Sequence, residues 1–192
     1  MKLNLKNYKY TSLDENIFFV HNFIDNETID KITKYAESVD ESQWWINKDG
    51  KENWWVGKFL YINDNLDMQY INTHITEKIK KIFPDQWFVG GMSSVHRMLE
   101  GQSMPFHADD PTEDMGDEGF LQYAFVLYLS DFEGGEMVYP KLGIQYKPNK
   151  GDLLIHTGTG QYIHGTNSVI GNKIRYVGTT YAYDPEVKKI FI

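Results

Sequence analysis

The sequence contains no cysteine. That removes disulfides, thiolate metal sites, iron–sulfur clusters and cysteine nucleophiles together, so any metal has to be held by histidine and carboxylate side chains. It also lacks an apolar run approaching the roughly 20 residues that span a bilayer. The opening stretch, MKLNLKNYKYTSLDENIFFV, alternates polar and apolar residues and has no continuous apolar region of the kind a secretory signal carries. A soluble cytoplasmic protein with no membrane partner is expected, in the host cytoplasm if the gene is viral. Positive charge is short as well: 19 Lys and Arg face 27 Asp and Glu, a formal charge of −8 with histidine neutral. Proteins that grip nucleic-acid phosphates usually present a basic field, so no nucleic-acid partner is expected. Arginine occurs only at Arg97 and Arg175.

What remains is ample for a core. The 192 residues are 41% hydrophobic and 24% charged, which suits one domain over residues 1–192. Residues 17–24 (IFFVHNFI) read as a strand leading into a helix with Asp25 as its N-cap and Ile24 and Ile29 as a hydrophobic staple. Ile29, Ile32, Ala36 and Val39 form that helix's apolar stripe. A second helix fits from Leu66 to Phe83, stopped by Pro84, with Met68, Ile71, Ile75, Ile79 and Ile82 on one face. Between them, Trp44, Trp45, Trp54 and Trp55 flank a turn-prone Lys48-Asp49-Gly50-Lys51, as in a hairpin. From Trp87 onward short apolar runs alternate with turn signals: 93–99, 120–129, 136–139, 151–156, 161–164 and 173–183. The pattern predicts an α+β protein, with helical and hairpin support over about 1–86 and a compact antiparallel β core over about 87–184.

Three residues stand out for chemistry. In extended chain, His107 and Asp109 of His107-Ala108-Asp109 point to the same face and can converge on one ion. His164, in a later run, is a candidate third ligand. Two histidines and one carboxylate make the facial triad of non-haem Fe(II) oxygenases, with three adjacent positions left open. Arg175 follows in the strand segment Ile174-Arg175-Tyr176, and a guanidinium turned into a barrel needs an anionic partner. Tyr128 is placed to add a hydroxyl donor to that anion. His156 is expected to pack beside the site as a non-ligand, and His21, His74 and His96 to be ordinary surface or core histidines.

In this order the pieces resemble the catalytic core of Fe(II)/2-oxoglutarate-dependent dioxygenases, specifically the prolyl 4-hydroxylase-like group. The resemblance rests on His107-Ala108-Asp109, Tyr128-Leu129-Ser130, Gly134-Gly135-Glu136 leading to Tyr139-Pro140, Gly151-Asp152-Leu153-Leu154, His164 and Arg175-Tyr176. Phe23-Ile24-Asp25-Asn26-Glu27 also resembles that group's N-terminal region. It implies a double-stranded β-helix, or jelly roll, flanked by N-terminal helices. It further implies iron held by His107, Asp109 and His164, and 2-oxoglutarate held through its distal carboxylate by Arg175 with Tyr128. O2 is then the oxidant, and ascorbate an optional reductant. One departure is Met98, where the group commonly has a tyrosine; an intact Asp109 argues against a halogenase.

The implied reaction is hydroxylation of a C–H bond, most simply of a prolyl residue in a peptide or protein, with succinate and CO2 released. Hydroxylation of a free amino acid or other small molecule is the enzymatic alternative, and a non-catalytic jelly-roll binding module the other. The acidic stretch from Asp109 to Gly119 (DDPTEDMGDEG) is expected to be a flap over the site, and the aromatic segment 44–55 its opposite rim.

Overall fold

The structure is a computed structural model that describes residues 3–45, 57–92, 94–109 and 123–183. The expected flap beyond Asp109, together with Trp54 and Trp55, lies outside the described residues. Thirteen strands and two α-helices follow one another as β1 (Tyr10–Asp14), β2 (Ile17–Val20), α1 (Asn26–Ser38), β3 (Lys58–Tyr61), α2 (Leu66–Lys80), β4 (Phe88–Val89), β5 (Ser94–Met98), β6 (Tyr123–Tyr128), β7 (Glu133–Gly134), β8 (Met137–Tyr139), β9 (Ile144–Tyr146), β10 (Leu153–His156), β11 (Gly165–Thr166), β12 (Val169–Ile170) and β13 (Arg175–Tyr183). An eight-stranded sheet runs β1-β2-β10-β6-β13-β5-β3, with β4 also paired to β13; β11-β8-β9 and β12-β7 form two smaller sheets. Every strand pairing among the described residues is antiparallel.

The two-residue period of the strands divides the large sheet into two working faces. Leu153 and Ile155 of β10, Phe125 and Leu127 of β6 and Tyr176 of β13 pack beneath the helices, with Ile29 and Ile32 of α1 and Ile75 and Ile79 of α2. Their neighbours Leu154, Val126, Tyr128 and Val177 point the other way, toward Met137 and Tyr139 of the small sheet. The helices thus cover one face, and the jelly-roll interior lies on the other. His156 and Arg175 belong to that interior by phase alone.

The helices follow their local signals. Asp25 caps α1 by accepting from the Thr28 amide at 2.8 Å, and Asn65 caps α2 by accepting from the Met68 amide at 3.0 Å. The helix expected to reach Phe83 stops at Lys80, although Ile82 and Phe83 remain buried; the chain turns there through bonds from the Ile82 and Phe83 amides to Ile79 and Lys80. The strand expected over 17–24 ends at Val20, because Asn22 takes a left-handed conformation at φ 50°. Residues 161–164 are not a strand: Gly160–Tyr162 is a 3₁₀ turn. The strands β1 and β3 were not anticipated. Both extend the large sheet, so the first 86 residues supply sheet as well as helices. Of the expected hairpin, Trp44 is buried and Trp45 bridges to Phe59 of β3, its ring stacked on Phe59 at 4.9 Å. Among the described residues, no helix is long and apolar enough to cross a membrane.

Candidate metal and anion site

His107, Asp109 and His164 come together inside the jelly roll, each offering a ligand atom within 4.8 Å of the others. The backbone makes the convergence. His107 and His164 form an isolated antiparallel bridge, each amide donating to the other's carbonyl at 2.9 Å. Their rings then lie 4.5 Å apart, centroid to centroid. The His107 Nε2 is 3.5 Å from Asp109 Oδ1, and the His164 Nε2 is 3.7 Å from Asp109 Oδ2.

Both imidazoles are oriented from behind. His107 Nδ1 donates to the Pro105 carbonyl at 2.9 Å, and His164 Nδ1 to the Tyr162 carbonyl at 3.1 Å. A proton committed at Nδ1 leaves the Nε2 lone pair facing the site, which is the tautomer a metal ligand needs. Burial on its own would raise the Asp109 carboxyl, but the bond to His107 and the fields of His164 and His156 outweigh it and hold the group well below the usual carboxylate range. His164 is pushed down by burial against the pull of Asp109. His107 is pulled up despite its burial, by Asp109 and the Pro105 carbonyl.

A third imidazole was legible only as a neighbour. His156 is fully buried at the end of β10, with Nε2 3.5 Å from Asp109 Oδ2 and its ring edge-on to His164 at 4.4 Å. Unlike the other two, it makes no hydrogen bond through Nδ1; the Thr157 backbone lies nearby without the geometry for one. Burial pushes its pKa down to about 3, so it is neutral near pH 7.

Arg175 opens β13 and is fully buried. Among the described residues, no carboxylate pairs with it. Its guanidinium meets the thioethers of Met98 at 3.5 Å and Met137 at 3.9 Å, and faces the rings of Tyr128 and Phe132 at 5.4 Å each. Nε has no hydrogen-bond partner, nor does the buried Tyr128 hydroxyl beside it. Burial lowers the Arg175 pKa and raises that of Tyr128, yet both remain protonated at neutral pH. Thioethers are weak acceptors, so the charge is left uncompensated at a cost of several kcal/mol. Met137 escaped the sequence reading, and Met98 entered it only as a departure from the group's usual tyrosine; Met98 pairs with Arg175 across β5 and β13, a register that no local motif announces.

One cavity of about 250 Å³ is lined by His107, Asp109, His156 and His164 together with Arg175 and Met137. Gly91, Thr179 and Tyr181 also line it, and Tyr181 is 41% exposed, which marks that side as the mouth. Two imidazoles with fixed tautomers and an ionised carboxylate fit a divalent transition metal such as iron. The orphaned guanidinium with an orphaned phenol fits a carboxylate.

No protein-family model matches the sequence, and no curated protein does. Solved structures do match in fold. The viral collagen prolyl hydroxylase of Paramecium bursaria Chlorella virus-1, in complex with 2-oxoglutarate, superposes with a TM-score of 0.63 at 15% identity, covering 88% of this chain and 96% of that one. A Trichoplax adhaerens prolyl hydroxylase in complex with a hypoxia-inducible-factor peptide fragment gives 0.62 at 14% identity, over 91% and 86%. A Pseudomonas putida prolyl-4-hydroxylase gives 0.61 at 13% identity, over 93% and 94%. The chain therefore has the α+β double-stranded β-helix fold of the prolyl 4-hydroxylases, at an identity where the likeness is one of fold.

Proposed function

We propose that this protein is an Fe(II)- and 2-oxoglutarate-dependent hydroxylase. The observation that carries the reading is Arg175, a fully buried cation without an anionic partner among the described residues, sharing one cavity with the His107, Asp109 and His164 cluster. A ligand that is a dicarboxylate answers both features, one end among the metal donors and the other at the guanidinium.

In this reading His107, Asp109 and His164 hold the ferrous ion, and the Pro105 and Tyr162 carbonyls keep the two imidazoles in their ligating tautomers. Bound there, iron supplies O2 activation coupled to oxidative decarboxylation of 2-oxoglutarate, with succinate, CO2 and a hydroxylated substrate as products. Arg175 binds the distal carboxylate of 2-oxoglutarate, with the Tyr128 hydroxyl as an added donor. Val126, Met137 and Val177 give the cavity apolar walls that strengthen that charge pair by excluding water. O2 is the co-oxidant, and ascorbate is proposed as a reductant that restores the ferrous state.

The substrate proposed is a prolyl residue in a peptide or protein. The neighbouring Trichoplax enzyme was solved with a peptide fragment, and the mouth of this cavity beside Tyr181 offers an aromatic ring to an entering chain. A cytoplasmic location is proposed with it. The test is a screen of proline-containing peptides and free amino acids with Fe(II) and 2-oxoglutarate, reading the gain of one oxygen atom by mass spectrometry. A hydroxylated peptide is expected; oxygen gained only by free amino acids would move the substrate class to small molecules.

A further inference from the structure

Of the three imidazoles around Asp109, two have their tautomers fixed by backbone carbonyls. His156 does not. It sits at the end of a central strand, fully buried, with Tyr139 edge-on at 5.8 Å and His164 edge-on at 4.4 Å, so its ring has little room to turn. It is not one of the three donors that gather within 4.8 Å. An imidazole in either charge state carries at least one N–H. Among the described residues neither nitrogen is within good hydrogen-bond geometry of an acceptor: the Thr157 backbone lies beside the ring, and Nε2 lies 3.5 Å from Asp109 Oδ2, a carboxylate oxygen that itself has no donor. A proton at Nδ1 would leave two lone pairs, on Nε2 and Asp109 Oδ2, facing each other in a largely buried site.

We propose that His156 is a positioning residue for the metal centre: its Nε2–H donates to Asp109 Oδ2 and fixes the rotation of the carboxylate. This rests on the metal-site reading above and goes beyond it. Asp109 follows His107 in a short loop, where no regular ladder holds its side chain; the other oxygen faces His107. The His156 bond keeps the carboxylate from swinging toward a chelating mode that would occupy a position needed by the cosubstrate. It also makes Asp109 a ligand of set orientation before any ion arrives.

Two measurements test it. The first uses the metal-free wild-type protein and long-range ¹H–¹⁵N NMR of its histidine rings, with His156 assigned by the loss of its signals in His156→Gln. His107 and His164 are expected as Nδ1–H tautomers and His156 as Nε2–H. An Nδ1–H tautomer at His156 overturns the proposal. The second titrates wild type, His156→Phe and His156→Gln with Co(II), by calorimetry and by the visible ligand-field bands. His156→Phe keeps an aromatic ring but no donor and is expected to bind roughly ten- to a hundredfold more weakly, with shifted bands. His156→Gln keeps an N–H donor and is expected to recover most of the loss. Wild-type affinity in His156→Phe, or equal loss in both variants, means that His156 only packs. Failure of the wild type itself to bind Co(II) would overturn the metal-site reading instead.

Discussion

His107 and His164 hold each other by the backbone: each donates its amide to the other's carbonyl at 2.9 Å, outside any strand. The bridge brings two imidazoles from distant parts of the chain to a ring separation of 4.5 Å without help from their side chains. Ligand geometry is therefore built by main-chain pairing, and side chains can be removed without dismantling it.

It follows that His107→Ala, Asp109→Ala and His164→Ala should each fold and each lose the metal. Even partners one step removed from a metal cost ten- to a hundredfold in affinity, so loss of a ligand should exceed about a hundredfold. Co(II) titration beside far-ultraviolet circular dichroism checks both halves. Unchanged affinity in any one variant would remove that residue from the site.

Arg175→Met should have two effects of opposite sign. The cation is fully buried against methionine sulfurs and aromatic rings, so an isosteric apolar side chain should stabilise the ligand-free protein by at least about 1 kcal/mol. The same change should weaken 2-oxoglutarate binding by about 2–5 kcal/mol, roughly thirtyfold to several thousandfold. Tyr128→Phe should cost only about 0.5–1.5 kcal/mol of that binding. Thermal unfolding without ligand and calorimetry with 2-oxoglutarate read the two effects separately. If Arg175→Met binds normally, Lys173 is the next anchor to examine.

Metal affinity should depend on pH through His107. Its pKa lies above the ordinary histidine value in the metal-free fold, because the Asp109 and Pro105 bonds outweigh burial. A group raised in this way stabilises the metal-free fold at low pH, and that contribution fades as pH climbs through its folded pKa. A metal needs the same Nε2 unprotonated, so affinity should rise about tenfold per pH unit up to that pKa and then level off. His164 and Asp109 are both shifted down, so they reach their ligating forms at lower pH than His107 and add less to the slope. A Co(II) titration series from pH 5.5 to 8 checks this; a slope near two would mean a second histidine also gives up a proton.

Gly134→Ala should destabilise the fold by about 1–3 kcal/mol or more. Gly134 has φ +63°, and an added Cβ would lie 2.1 Å from the Ser168 carbonyl, a backbone atom that cannot turn aside. Urea unfolding measures the cost. A change within about 0.5 kcal/mol would show that the β7–β12 pairing yields easily.

Much of this was legible in the sequence, and the limits are physical. Helices were readable because Asp25 and the Ile29, Ile32, Ala36 stripe are local signals. The convergence of His107, Asp109 and His164 was readable because their order along the chain matches a known pattern, and the inward turn of Arg175 because strand alternation sets it. The end strands β1 and β3 were not readable, since their residues are exposed, half-buried or mixed; β1 gains strand form only by pairing with β2, and β3 by pairing with β5 much further along the chain. The contacts of Met98 and Met137 with Arg175 escaped for a related reason: they arise only through cross-strand register and packing. His156 was recognised as packed near the site, but its contact with Asp109 depends on a loop whose path no periodicity describes.

The central claim is that Arg175 and the triad serve one dicarboxylate cosubstrate at a ferrous ion. It is tested most directly by incubating the purified protein aerobically with 2-oxoglutarate, with and without Fe(II), and quantifying succinate. The account predicts slow succinate formation that requires Fe(II), persists without an added prime substrate, and disappears in His164→Ala and Arg175→Met. Wild-type protein that forms no succinate and does not bind 2-oxoglutarate in the presence of Fe(II) would contradict it.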